Sequence, residues 1–261
     1  INPSGVLFVC DNTHIEYRNT SAGLFNTLTS SANITPVMDT SNGSLWFRTS
    51  GGFYKWFDGD TTATSVTLSN ASSIIGLVAG NGYLFGWTST GLYRKPSNTT
   101  ADWTLIYTGS VNGDYFSAGP TGNLYSVYES GTSSITIKLN RYSTTVDVLD
   151  TGIDATLGSG YVRAVGLAVS ANDIPYFSMV QRADLMTPAG TSSEYGIGIY
   201  AGNFSSNSYT FLYADSGMYQ SVNVTYTNCI GLHIIGTNLY WIQGNQGLTL
   251  TTKYKIYQGN V

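Results

Sequence analysis

The 261-residue sequence has little charge, little cysteine and no long apolar run. Charged residues make up 10% of it, well below the roughly 25% of an average soluble domain. No stretch approaches the roughly 18 consecutive apolar residues that a membrane-spanning helix needs, so we expect no membrane insertion. The 11 basic residues are scattered along the chain, and without a positive stripe we expect no nucleic-acid partner.

Clustered metal ligands are missing from the sequence as well. The two cysteines, Cys10 and Cys229, form no CxxC pair, which excludes a metal knuckle. The acidic segment Asp58-Gly59-Asp60 lacks the downstream Glu of a calcium loop. We therefore expect neither a metal site nor a cofactor.

What replaces charge is a surplus of Ser, Thr, Asn, Gly and aromatic side chains, among them 20 tyrosines. Tyr and Thr suit a pleated strand, whereas Gly, Asn and Ser make turns, so the composition favours an all-β protein. It also suits a secreted, extracellular chain that carries N-linked glycans. The candidate glycosylation sites are the seven sequons at Asn19, Asn33, Asn42, Asn70, Asn98, Asn203 and Asn223.

A repeat runs through the whole chain, in which a Gly-containing turn is followed by Leu and an aromatic residue in a short strand. The position before the aromatic residue recurs at Leu7, Leu45, Leu84, Leu124, Pro175 and Leu239. A period of about 40 residues with several short strands per repeat is typical of a β-propeller blade. A β-sandwich with accidental similarity is the alternative, but six ordered copies favour the propeller. The sequence thus predicts a single domain, 1–261, built as a six-bladed β-propeller with antiparallel four-stranded blades.

The predicted strands leave a gap where the ring closes. The chain opens at the second strand of blade 1 and ends at the third strand of blade 6, so one inner and one outer strand are missing. We expect them from an upstream segment or from a neighbouring chain by strand addition. Cys10 and Cys229 then fall on the same face of adjacent blades, where a disulfide would join the two ends of the ring. Two buried free thiols are the alternative.

Residues 80–130 carry a resemblance to a known family. The segments concerned are Gly82-Tyr83-Leu84-Phe85-Gly86, Leu92-Tyr93-Arg94-Lys95-Pro96, Asp102-Trp103 and Pro120-Thr121-Gly122-Asn123-Leu124-Tyr125. They resemble the tachylectin-2-like propeller lectins, whose blades repeat an N-G-x-L-Y turn and strand, an LYK-x-x-P strand end and a D-N-W segment. The middle Asn of that last segment is absent here, and so is the family's paired-Gly-plus-Trp segment. The resemblance implies binding of N-acetylated sugars in clefts between blades.

The composition also indicates a class of function. Sugars are recognised by aromatic faces and neutral hydrogen-bonding side chains, and both are abundant here. We expect a non-catalytic recognition protein that binds a glycan or another cell-surface ligand. The candidate ligand-binding residues, in or beside blades 2 and 3, are Trp46, Arg48, Trp87, Arg94, Asp102 and Trp103. Each aromatic residue among them has packing between blades as its alternative role.

Two other classes of function stay open. A structural surface or filament subunit would accept a strand from a neighbouring chain into its open ring. A glycosidase-like enzyme would need a pair of catalytic carboxylates. Glu16, Glu129 and Glu194 lie in or near predicted strands, whereas most other carboxylates lie at turns. We therefore expect no enzymatic activity.

Overall fold

The structure is a computed structural model, and it describes most of the chain. The described residues are 4–10, 14–18, 25–29, 36–50, 52–131, 136–154, 163–182, 194–214, 220–221, 227–245 and 253–261. Within them the chain forms six antiparallel sheets, which follow one another in sequence order. The one helical element among the described residues is a 3₁₀ turn, Ala71–Ser73, and no helix there is long and apolar enough to cross a membrane.

The first three sheets are blades 1 to 3, and within each the strands pair in chain order. Blade 1 consists of β1 (Leu7–Cys10), β2 (Ile15–Arg18) and β3 (Asn26–Thr29). Blade 2 consists of β4 (Val37–Asp39), β5 (Ser44–Thr49), β6 (Gly52–Trp56) and β7 (Thr64–Val66). Blade 3 consists of β8 (Gly76–Gly80), β9 (Tyr83–Trp87), β10 (Gly91–Pro96) and β11 (Thr104–Thr108).

The last three sheets are blades 4 to 6. Blade 4 consists of β12 (Tyr115–Ala118), β13 (Leu124–Ser130), β14 (Thr136–Tyr142) and β15 (Val146–Asp154). Blade 5 consists of β16 (Arg163–Val169), β17 (Pro175–Arg182), β18 (Glu194–Asn203), β19 (Ser208–Ala214) and the short β20 (Gln220–Ser221), which pairs with β18. Blade 6 consists of β21 (Thr227–Ile235), β22 (Asn238–Asn245) and β23 (Lys253–Asn260).

This architecture confirms the predicted fold class, an all-β six-bladed propeller. The repeat positions lie in the second strands of blades 2 to 4 and in β1, β17 and β22. Among the described residues, blades 1 and 6 have three strands each, which agrees with the predicted absence of one inner and one outer strand.

The Gly of the repeat has a backbone reason. At the turn before the Leu-aromatic strand, φ is 81° at Gly5, 77° at Gly43, 84° at Gly82 and 80° at Gly122. This left-handed region is open to glycine without a steric penalty. Blade 5 keeps the same conformation with Asp173, at φ 62°, because Asp is one of the few other residues that tolerate it.

The chain divides into two compact units. The first unit is Ile1–Val111 with Ala118–Asn123 and Ser143–Thr145, and it contains blades 1 to 3. The second unit is Asn112–Ser117, Leu124–Tyr142 and Val146–Val261. Each unit has its own core, and the single domain predicted over 1–261 stays a prediction.

In both units the core lies between neighbouring sheets. Between blades 1 and 2 the buried cluster is Val6, Ile15, Leu45, Phe47 and Trp56. Between blades 2 and 3 it is Trp46, Phe53, Leu68, Ile74, Leu77, Leu84 and Trp103. Full burial of each large apolar side chain contributes roughly 2–3 kcal/mol, so aromatic wedges compensate for the low Leu content of the chain.

Candidate functional site

A cleft of about 350 Å³ lies between blades 1 and 2, inside the first compact unit. Small-molecule sites usually have a volume of about 300–1,000 Å³. Blade 1 lines the cleft with Ser4, Val6 and Tyr17. The segment from the end of β6 onward lines it with Trp56, Asp58, Gly59, Asp60 and Thr61. We call this site the blade 1–2 cleft.

A tight turn forms the blade 2 side of the cleft. The N–H of Asp60 donates to the carbonyl of Phe57 at 2.9 Å, and Gly59 has φ 90°. A positive φ at the third residue is the mark of a type II turn, for which Gly is the preferred residue. The turn leaves Asp58, its second residue, exposed at the rim.

The two carboxylates of this turn have different surroundings. Asp60 accepts hydrogen bonds from Lys55 Nζ at 3.2 Å and from the N–H of Phe57 at 2.9 Å. Asp58 accepts a hydrogen bond from the hydroxyl of Ser4, which belongs to blade 1. Asp60 therefore fixes the turn against its own blade, whereas Asp58 links two blades at an exposed rim.

Aromatic rings form the inner wall of the cleft. Trp56 is 2% exposed, and its indole N–H donates to the carbonyl of Asp60 at 2.7 Å. The ring of Phe8 meets it edge-on at 4.9 Å between centroids, and the ring of Tyr17 lies 6.0 Å away. The Tyr17 hydroxyl donates to the carbonyl of Thr61 at 3.2 Å. The cleft thus combines aromatic carbon, hydroxyl groups and carboxylate oxygens.

The boundary between blades 2 and 3 is closed by a buried carboxylate. Asp39 is 0% exposed and accepts hydrogen bonds from the N–H and hydroxyl of Ser41, at 2.9 and 2.6 Å. It also accepts from Asn42 Nδ2 at 3.3 Å, from the Gly82 N–H at 2.7 Å and from the Ser97 hydroxyl at 2.6 Å. The last two donors belong to blade 3. We call Asp39, Asn42, Gly82 and Ser97 the Asp39 clasp.

A buried lysine lies next to this clasp. Lys95 is 2% exposed, and its Nζ lies 4.2 Å from the ring centroid of Trp46. It donates to the carbonyl of Pro96 at 3.0 Å and to the carbonyl of Thr99. Burial lowers the pKa of Lys95 to about 8, because removal from water disfavours the charged form.

The three tryptophans predicted to bind a ligand are core residues. Trp46, Trp87 and Trp103 are all buried. A Cβ atom added at Gly76 would lie 2.1 Å from the Trp87 ring, so that ring packs directly on the inner strand. Trp103 meets Phe53 edge-on at 6.0 Å. This burial fits the alternative role, packing between blades. Ligand binding by the three tryptophans stays a prediction.

The two predicted arginines are half-buried. Arg94 Nη1 donates to the carbonyl of Gly122 at 2.6 Å, and its guanidinium lies 5.3 Å from the ring centroid of Tyr83. It therefore connects blade 3 to the turn before β13. Arg48 lies in β5. Ligand binding by either arginine stays a prediction.

Asp102 is exposed beside blade 3. Its Oδ1 accepts hydrogen bonds from the N–H of Ser69 at 2.9 Å, from its hydroxyl at 3.0 Å and from the Trp103 N–H at 2.8 Å. The Ser69 and Trp103 N–H groups hold the pKa of Asp102 below its usual value. These bonds join two loops, and a binding role stays a prediction.

The structure bears on the cysteines and sequons in part. Cys10 is exposed at the end of β1, and the side chain of Cys229 lies outside the described residues, so the disulfide stays a prediction. Of the sequons, Asn70, Asn98 and Asn203 are exposed, whereas the amide of Asn42 is engaged in the Asp39 clasp. Asn19, Asn33 and Asn223 lie outside the described residues.

The predicted ligand-binding residues lie in or beside blades 2 and 3, whereas the cleft lies between blades 1 and 2. The local sequence signal for the cleft is the Asp58-Gly59-Asp60 turn, which begins two residues after Trp56 and which the sequence shows only as an acidic turn without the Glu of a calcium loop. No three His, Cys, Asp or Glu side chains come together as metal ligands in the part of the chain that the structure describes.

Comparison with known proteins adds a likeness of fold. No family model and no curated protein matches the chain. An ulvan lyase of a new polysaccharide lyase family has a TM-score of 0.52 and 8% identity, over 100% of this chain and 77% of that one. The extracellular domain of a protein assigned to a one component system in B. thetaiotaomicron has a TM-score of 0.49 and 13% identity, and the match covers 92% of this chain and 30% of that one. The WD40 β-propeller domain of Doa1 has a TM-score of 0.39 and 9% identity, over 92% and 86% of the two chains. At such identities the likeness concerns the fold alone.

Proposed function

We propose that this chain is an extracellular recognition protein that binds a glycan in the blade 1–2 cleft and does not transform it. The observation that carries the proposal is the make-up of the cleft, where aromatic carbon lies beside hydroxyl and carboxylate groups in a space of about 350 Å³. A sugar ring presents the complementary surface, with C–H groups on its faces and hydroxyl groups around its edge.

The geometry favours a ligand that reaches in from the rim. Tyr17 is half-buried and Trp56 is nearly covered, so the aromatic wall is the deep end of the site. Asp58 and Thr61 are exposed, which leaves polar groups at the entrance. Carboxylate oxygens are strong acceptors for hydroxyl donors, and a polyhydroxylated ligand supplies such donors in number.

The test is a glycan array followed by calorimetry on the glycans that bind. Thr61→Trp fills the cleft from an exposed position and Asp58→Ala removes the rim acceptor, so each is expected to weaken binding by about tenfold or more. Matched controls at exposed positions of blade 4 are Thr144→Trp and Asp150→Ala, which should bind as the wild type does. Circular dichroism confirms that all four variants fold. The proposal fails if no glycan binds, or if both cleft variants bind as tightly as their controls.

Recognition without catalysis has its own measurement. Any glycan that binds is incubated with the protein for a day and examined by mass spectrometry. We expect it to be recovered intact. A shortened or unsaturated product would favour the enzymatic alternative instead.

A second candidate function is a structural subunit that accepts a strand from another chain. Within the described residues, β23 pairs with β22 alone, and Ile256 in β23 is 72% exposed. An exposed apolar residue on such an edge is a pairing hazard unless a partner covers it. Light scattering across a concentration series tests this function: growth of oligomers that Ile256→Lys abolishes would support it, and a concentration-independent monomer would reject it.

A further inference from the structure

We infer that Asp39 has a chemical role besides its structural one: it protects two Asn-Gly pairs from spontaneous deamidation. The first pair is Asn42-Gly43 and the second is Asn81-Gly82. They form the repeat turns before β5 and β9. This protective role is independent of glycan binding, since neither turn belongs to the residues that line the blade 1–2 cleft.

Deamidation of an Asn-Gly pair is an attack of the chain on its own side chain. The Gly nitrogen gives up its proton and attacks the Asn Cγ, so that an N–Cγ bond forms and the Cγ–Nδ2 bond breaks. Nδ2 leaves with that proton as ammonia, and water then opens the cyclic imide to aspartate or isoaspartate. Gly favours the attack because it has no Cβ atom to obstruct it. A pair is therefore protected where the Gly nitrogen is held by another group.

The side chain of Asp39 holds the nitrogen of the second pair. The N–H of Gly82 donates to Asp39 Oδ2 at 2.7 Å. Attack requires a deprotonated nitrogen, and a buried carboxylate at this distance disfavours negative charge there. The Asn81 amide is anchored as well, since its Nδ2 donates to the carbonyl of Ala118 at 2.6 Å. Both reacting groups of the second pair thus have other partners.

The main chain of Asp39 holds the nitrogen of the first pair. The N–H of Gly43 donates to the Asp39 carbonyl at 2.8 Å. Asn42 Nδ2 donates to the Ser97 hydroxyl at 2.7 Å and to Asp39 Oδ2 at 3.3 Å. Asn42 Oδ1 accepts from the N–H of Ser44 at 3.0 Å. The Ser44 bond polarises the amide carbonyl, so the protection depends on the held nitrogen and on the fixed orientation of the amide.

The two pairs therefore depend on different groups of the same residue. Gly43 is bonded to a main-chain carbonyl, which any residue at position 39 supplies, whereas Gly82 is bonded to the carboxylate. Removal of the carboxylate should release the second pair and leave the first largely protected. A general loosening of the first compact unit, in contrast, would expose both pairs alike.

The experiment ages the full chain, produced in a bacterial host so that its sequons stay unmodified, in mildly alkaline buffer at physiological temperature. Peptide mass spectrometry counts aspartate and isoaspartate at each pair. In wild type both pairs should react at least about 100-fold more slowly than in the urea-unfolded chain. In Asp39→Ala the second pair should react about tenfold faster than in wild type, and the first should change by less than about threefold.

The matched control is Ile15→Ala. Ile15 is 0% exposed in blade 1 of the same compact unit, so its truncation destabilises the unit from outside the clasp. It should accelerate both pairs to a similar extent. Equal acceleration of the two pairs in Asp39→Ala would overturn the inference, and so would pairs that age in folded wild type as fast as in the unfolded chain.

Amide hydrogen exchange in wild type gives a second test, which needs no folded Asp39→Ala protein. The N–H groups of Gly43 and Gly82 should exchange at least about 100-fold more slowly than in the unfolded chain. Exchange at the unfolded rate would show that Asp39 holds neither nitrogen, and the protective role would be rejected.

Discussion

The boundaries on the two sides of blade 2 are built from equivalent positions, yet one is open and the other is closed. Trp56 pairs with Leu45 in blade 2 and Lys95 pairs with Leu84 in blade 3, so both occupy the same place in the repeat. Trp56 packs against Phe8 of blade 1, and Lys95 lies over the Trp46 ring of blade 2. The difference between cleft and clasp therefore comes from a few side chains.

The residues two positions further along the chain, Asp58 and Ser97, also correspond to each other. Asp58 accepts a hydrogen bond from Ser4, and Ser97 accepts one from Asn42, and each donor directly precedes the turn glycine of its blade. At the closed boundary the Ser97 hydroxyl also donates a hydrogen bond to Asp39, so that Ser97 belongs to a buried hydrogen-bond network. Equivalent positions at neighbouring boundaries thus form a buried hydrogen-bond network at one and border an open cleft at the other.

The largest expected effect comes from removing Asp39. Asp39→Ala leaves the N–H of Gly82 and the buried hydroxyl of Ser97 without their acceptor, and we expect the free energy of unfolding to fall by about 3 to 5 kcal/mol. Asp58→Ala removes a carboxylate from the open boundary, where water replaces it, and should change the free energy of unfolding by no more than about 0.5 kcal/mol. Urea denaturation followed by tryptophan fluorescence measures both.

Equal losses in the free energy of unfolding for Asp39→Ala and Asp58→Ala would contradict the difference between the Asp39 clasp and the blade 1–2 cleft. Asp39→Asn is the intermediate case, since the amide keeps one acceptor oxygen and loses the charge. We expect its loss to lie between those of the two alanine variants.

The fold was predictable from the sequence because its signals are local. A left-handed turn needs Gly or Asp, and the strand after it needs Leu and an aromatic residue, so Gly43 and Asp173 mark the same feature in different blades. The cleft was harder to predict, because its one local signal, the Asp58-Gly59-Asp60 turn, does not show which side chains of blade 1 lie beside it. The acceptor role of Asp39 likewise depends on donors about 40 and 60 residues away in the chain, whose approach is set by blade packing.

A second, smaller effect concerns the lysine at the closed boundary. The folded state holds the proton of Lys95 less tightly than the unfolded chain does, since its pKa falls from 10.5 to about 8. Unfolding therefore takes up a proton between these two pH values, and the free energy of unfolding rises with pH across that window. Lys95→Met lacks this contribution.

The measurement is the difference in the free energy of unfolding between wild type and Lys95→Met, from pH 7.5 to pH 10.5. Wild type should gain on the order of 2 kcal/mol relative to the variant over this range. Taking the difference removes the titration of the tyrosines, which both proteins share. A difference that stays flat with pH would mean that the buried amine keeps its ordinary pKa.

The smallest effect tests the turn that forms the rim of the open boundary. Gly59 has φ 90° and no atom within 4 Å of an added Cβ, so a side chain there meets backbone strain and no clash. Gly59→Ala should lower the free energy of unfolding by about 1 kcal/mol, and Gly59→Asn by less, because Asn tolerates a positive φ better than Ala. Urea denaturation again gives both values. If the Ala variant were as stable as the wild type, the turn would have another geometry, and Asp58 would not be held at the rim of the blade 1–2 cleft.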